Sequence, residues 1–157
     1  MPETKEAPRL TRNPDDCMGE IRAAMQLENA DDRAVFERGY AGEDEIRTFE
    51  TEGVVDTDSR PGLVVPRGMA DRLGVRTQHT TEVGYADGRT ATLDVVGPIN
   101  VTIEERTMVV DAFVLPEDGV PLIGQIVLER LDLRADCAEQ RLVVPPESPD
   151  GPVLPIR

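Results

Sequence analysis

From residue 46 onward the chain is a series of short apolar segments, each closed off by Gly, Pro, Asn or Asp within about eight to twelve residues. Ile46 and Thr48 lead into Gly53-Val54-Val55. Leu63-Val64-Val65 is bounded by Pro61-Gly62 and Pro66, as suits a buried strand. Thr80 to Tyr85 and Thr90 to Val96 flank Asp87-Gly88, a strong local hairpin signal. Gly97-Pro98 reads as the end of that second segment. Ile99, Val101 and Ile103 alternate and so share one face, Glu104-Glu105 turns the chain, and Met108 to Leu115 returns. Such a pattern predicts a mainly β protein: a closed barrel or sandwich of short strands with one or two short helices.

The flanking segments fit around that frame. Ile21 to Leu27 reads as a first strand. Asn29 and Asp31 offer N-cap oxygens for a short helix over Asp32 to Arg38, ended by Gly39 or Gly42. Glu43-Asp44-Glu45 reads as an acidic, solvated turn. Pro66 suits the first position of a helix whose apolar stripe is Met69, Ala70 and Leu73, with Gly74 as its stop. Ile126, Val127, Leu128 and Leu131 have helical spacing. Leu131-Asp132-Leu133 and Leu142-Val143-Val144 read as closing strands. The expected organisation is a tail over residues 1–19, one domain over 20–145 and a Pro-rich tail over 146–157.

Hydrophobic residues make up 39% of the chain but aromatic ones only 3%, so the core must be aliphatic. The formal net charge of −14, from 31 acidic and 17 basic residues, argues against nucleic acid and against anionic membrane surfaces as partners. The N-terminus has no apolar segment of the signal-peptide kind, and no run is long enough to span a membrane, so the expected location is the cytoplasm. Cys17 and Cys137 fit no metal motif and read as reduced thiols there, a single bridge in a secreted protein being the alternative. His79, the only histidine, has no clustered ligands and reads as a strand-edge residue. No metal or cofactor is expected.

Gly53-Val54-Val55-Asp56-Thr57-Asp58-Ser59 resembles the active-site segment of aspartic proteases, two apolar strand residues followed by Asp-Thr/Ser-Gly. Leu122-Ile123-Gly124 resembles the second signature of that family, and the Asp87-Gly88 hairpin lies between the two where the family has its flap. The order resembles a single retropepsin-like unit, of the retroviral and bacterial single-domain kind. The likeness spans roughly residues 21 to 144. The resemblance implies a retropepsin-like β barrel, Asp56 and Thr57 as catalytic residues, and Asp58, Ser59, Ala86, Asp87 and Gly88 as contacts to a peptide or protein substrate. It also implies a homodimer, because a water held between two aspartates needs the second one from a second copy. Gly124 would pack close behind the active loop.

Asp58 departs from the family, which has Gly in that place. Glycine serves where backbones approach closely, and an aspartate adds bulk and charge. Four carboxylates near one twofold axis repel, each close like-charged pair costing on the order of 4 kcal/mol. Lowered or abolished peptidase activity is therefore expected. Two alternatives stay open: a catalytically weakened or inactive retropepsin-like module that binds peptides or dimerises, and an unrelated small β interaction domain in which Asp56 is incidental.

Overall fold

A computed structural model of the chain describes residues 20–57 and 62–154. The elements in order are β1 (Arg22–Asn29), α1 (Ala30–Glu37), a 3₁₀ turn (Glu43–Glu45), β2 (Thr48–Asp56), β3 (Leu63–Pro66), α2 (Arg67–Leu73), β4 (Arg76–Gly84), β5 (Thr90–Ile103), β6 (Arg106–Leu115), β7 (Leu122–Gly124), α3 (Gln125–Leu131), β8 (Arg134–Asp136) and β9 (Arg141–Val143). The predicted mainly β architecture is present, with three short helices instead of one or two. The strand order is β1-β2-β7-β3-β6-β5-β4, and β1 also pairs with β5. Six strands thereby close into a barrel, while β4 hangs from β5 as the free arm of a long hairpin.

Alternating aliphatic side chains fill the closed barrel. Ala23, Met25 and Leu27 of β1 are buried, as are Leu63 and Val65 of β3, Ile99, Val101 and Ile103 of β5, Ala112 and Val114 of β6, and Ile123 of β7. These fill the barrel with branched and unbranched aliphatics, since the sequence has few rings to spend on a core. Val127, Leu128 and Leu131 of α3 and Met69, Ala70 and Leu73 of α2 plug it from outside the strands. Gly53 is required by this packing. A Cβ there would stand 2.8 Å from two side-chain carbons of the fully buried Ile123 and 3.1 Å from the Met25 terminal carbon.

Several local expectations shift by a few residues. β5 does not end at Gly97-Pro98 but runs on to Ile103, with an irregular step in its pairing to β6 between Val96 and Ile99. The prolyl nitrogen cannot donate, and the strand changes neighbour at this point: its first half pairs with β4 and its second half with β1. Pro66 caps α2 from outside and is not its first residue, and Gly74 ends that helix in the left-handed region at φ 67°. Asn29 caps α1, its side-chain oxygen accepting from the Asp32 N–H at 3.0 Å. Leu131 closes α3, and the final strand pair is Arg134–Asp136 with Arg141–Val143.

The described residues after Pro145 contain no strand or helix, yet they are anchored. Ser148 is buried, and its hydroxyl donates to Asp132 at 2.6 Å. The buried Arg106 guanidinium donates to the Ser148 carbonyl, and to the Leu131 and Asp132 carbonyls at 3.1 and 2.9 Å. A cation thus satisfies the carbonyl end of α3. Cys137, in the turn between β8 and β9, is disulfide-bonded, which corrects the expectation of reduced thiols. Such bonds persist in oxidising compartments and are rare in cytosolic proteins. The chain's other cysteine, Cys17, lies outside the described residues. No helix among the described residues is long and apolar enough to cross a membrane.

Candidate functional site

Asp56 is the last residue of β2. Its strand is held on both sides: antiparallel to β1, and parallel to β7 with Val54 opposite Leu122, Val55 opposite Ile123 and Asp56 opposite Gly124. The Val54 N–H donates to the Pro121 carbonyl and the Val55 N–H to the Ile21 carbonyl, each at 2.8 Å. The β-branched pair suits the ladder, and an aspartate suits the point where it gives way to a turn. β7 in turn lies between β2 and β3, and the Gly124 N–H donates to the Gly62 carbonyl at 2.8 Å. The two sequence segments that carry the resemblance are therefore neighbours in space, aligned residue against residue.

Asp56 is half-buried at one end of a groove of about 840 Å³. Val64 of β3, Phe113 and Leu115 of β6, Leu122 of β7 and Ile126 of α3 form one side. The other side is the β4 arm, where every residue from Thr81 to Ala86 contributes. Consecutive residues of a strand point to opposite faces, so an unbroken run on a wall means that the groove follows the strand's edge. Those edge N–H and C=O groups border a mainly apolar groove.

The hairpin tip is built by local chemistry. Tyr85 and Arg89 pair across the loop, the Tyr85 N–H donating to the Arg89 carbonyl at 2.7 Å and the Gly88 N–H to the Tyr85 carbonyl at 3.0 Å. Gly88 takes φ +91°, which a side chain would strain. Asp87 accepts from the Arg89 backbone N–H at 3.0 Å and from its guanidinium at 2.7 Å, and the guanidinium lies 5.2 Å from the Tyr85 ring centre.

The sequence-derived site residues therefore divide. Asp56 and Ala86 are both on the groove wall. Thr57 is the exposed turn residue after Asp56. Asp87 and Gly88 shape the hairpin tip and are not on the wall. Asp58 and Ser59 lie outside the described residues. His79 is on β4, the edge strand, and is exposed, as expected. Sequence reasoning missed Tyr85, Leu93, Phe113, Leu115 and Ile126 as groove residues. The signal was present in Ala112-Phe113-Val114-Leu115: a strand apolar at every position has two faces to cover, here the core and the groove. Among the described residues, no three His, Cys, Asp or Glu side chains converge to hold a metal ion.

No protein-family model matches the chain, and no curated protein matches it.

A second polar cluster lies on the barrel wall away from the groove. Arg33 donates to both oxygens of Glu28, at 3.0 and 2.8 Å, and Asn100 donates to it at 2.9 Å. These bonds, led by Arg33, hold the Glu28 carboxyl below the usual range against the opposing effect of burial. Arg47 does the same for Asp32 through two guanidinium bonds, at 2.9 and 3.0 Å, and a backbone N–H at 3.0 Å. The Glu28–Arg33 and Asp32–Arg47 pairs match charge for charge, which marks them as scaffold.

Proposed function

We propose that the protein is an aspartic-type endopeptidase that binds an extended peptide in the groove and hydrolyses it as a homodimer. The reading rests on one observation: Asp56, at the end of β2 and beside Gly124, stands at the foot of an apolar groove bounded by the edge of a hairpin. Peptide hydrolysis without a covalent intermediate needs a base to take a proton from water and an acid to stabilise the developing oxyanion. One carboxylate cannot do both at once. Two copies related by a twofold axis supply Asp56 twice, sharing one proton, so that the ionised member activates water and the protonated member donates to the scissile carbonyl. The edge of β4 offers N–H and C=O groups to the substrate backbone, and the apolar wall takes its alternate side chains.

Asp58 favours a second reading on the same site, a peptide-binding module whose chemistry is weakened. One experiment separates the two. The protein is incubated with a denatured protein substrate at mildly acidic pH, with and without pepstatin, beside Asp56→Asn. The peptidase reading expects pepstatin-sensitive cleavage that falls by at least about a hundredfold in the variant, with its melting temperature retained. Cleavage persisting in Asp56→Asn would show that another group does the chemistry, and binding without any cleavage selects the second reading. A strict monomer at high concentration in sedimentation removes the paired site.

A further inference from the structure

The groove has a charge asymmetry that its apolar wall does not require. Among its described lining residues there is no Lys or Arg, and the two that carry a carboxyl group are Asp56 and Glu82. Glu82, between Thr81 and Val83 on β4, lines the groove and is exposed. Leu115 and Leu122, both on the wall, are the ends of the loop that joins β6 to β7. That loop carries Glu117 and Asp118, both exposed. Among the described residues none of these three exposed carboxylates makes an ion pair, whereas Arg89 is engaged with Asp87 and Arg67 with Asp94.

We propose that the groove selects extended peptides in which large apolar side chains are flanked by Arg or Lys, with Glu82, Glu117 and Asp118 setting the preference. The inference rests on the peptide-binding reading of this groove and adds the substrate class. Unpaired carboxylates beside a low-dielectric channel focus a negative potential into it, raising the local concentration of cationic chains and repelling acidic ones. The net charge of −14 acts in the same direction, and a twofold pair of chains doubles these carboxylates. A cationic flank also answers carboxylates that would otherwise face the charged end of an acidic peptide.

The test is fluorescence anisotropy with Asp56→Asn protein, which cannot turn the ligand over under the proposed mechanism. Three labelled peptides share one apolar centre and differ only in Arg, Gln or Glu flanks. At low ionic strength the Arg-flanked peptide is expected to bind about tenfold tighter than the Gln-flanked one. That margin should shrink to under about threefold in 0.5 M salt and in the added triple substitution Glu82→Gln, Glu117→Gln, Asp118→Asn, whose melting temperature verifies the fold. Equal affinity for Arg and Gln flanks overturns the selection, as does failure of all three peptides to bind. An undiminished margin in the triple variant overturns the assignment to these residues. Cleavage by the unsubstituted protein is followed in parallel. Selective binding without cleavage removes the peptidase reading and leaves the selection standing, and cleavage of all three peptides at one rate does the reverse.

Discussion

Asp56 owes its position to two neighbours that the local sequence does not name. Its strand would be an edge without β7, and the parallel register that sets Asp56 against Gly124 links segments far apart in the chain. Local pattern made the Val-Val-Asp segment readable as a strand running into a turn, and resemblance singled out the aspartate; the partner strand came from tertiary pairing. Under the proposed chemistry, Asp58 is the residue on which activity turns: a glycine in its place removes a like charge and a side chain two residues from Asp56 in sequence. If the proposed chemistry holds, Asp58→Gly raises kcat/KM for peptide cleavage by about tenfold or more over the unsubstituted chain, in line with relief of a like-charge contact. Equal rates in the two proteins would show that Asp58 does not burden the site.

At the scale of elements, helices and strands were legible where one residue type does one job. Asn29 is the clearest case, since a side-chain acceptor ahead of a short helix is readable without coordinates, although the expected helix starts at Asp32 and the observed one at Ala30. What could not be read is its second task. Its side-chain nitrogen donates to the Leu73 carbonyl at 2.8 Å, so one buried amide starts α1 and finishes α2. Asn29→Ala therefore removes a cap and strands a buried carbonyl, for a loss of about 2–4 kcal/mol in urea unfolding. Asn29→Asp keeps the cap but sets a carboxylate against that carbonyl, and should recover less than half of the loss. Full recovery would mean that the Leu73 bond contributes nothing. Arg106 carries no such signal in the sequence, and only the fold brings the carbonyls of Leu131, Asp132 and Ser148 to it. The closure of the barrel by β1 and β5 is likewise a property of pairing and not of periodicity, which cannot tell a barrel from a sandwich.

For the molecule as a whole, two conditions set stability. The first is pH. Glu28 and Asp32 are both held below their ordinary values of 4.5 and 3.8 by arginine bonds. A depressed carboxyl contributes stability that is complete above its unfolded value and is lost as pH falls through the folded one. The melting temperature should therefore be level above about pH 5 and decline as pH drops through roughly 4 and below. Glu28→Gln with Asp32→Asn should be less stable at neutral pH and show a shallower acid decline. An unchanged slope in that variant would place the acid sensitivity elsewhere. Peptidase assays near pH 5 thus sit on the level part of the curve. The second condition is redox state. Reducing the Cys137 disulfide with dithiothreitol should cost about 2–5 kcal/mol of stability, seen as a lower melting temperature, while non-reducing peptide maps of the purified protein should show the Cys137 peptide cross-linked. A free Cys137 thiol in protein purified without reductant would contradict the bond.

The insertion of β7 between β2 and β3 also orders events in time. A nascent chain that has emerged only as far as Pro121 holds β1 to β6 but has nothing to fill the gap beside Val54, Val55 and Asp56, and no Leu122 or Ile126 to finish the channel. Because pairings between remote segments form late, the groove is completed only after Leu122 to Ile126 have been made. A nascent chain still short of those residues therefore carries Asp56 without the groove that later surrounds it.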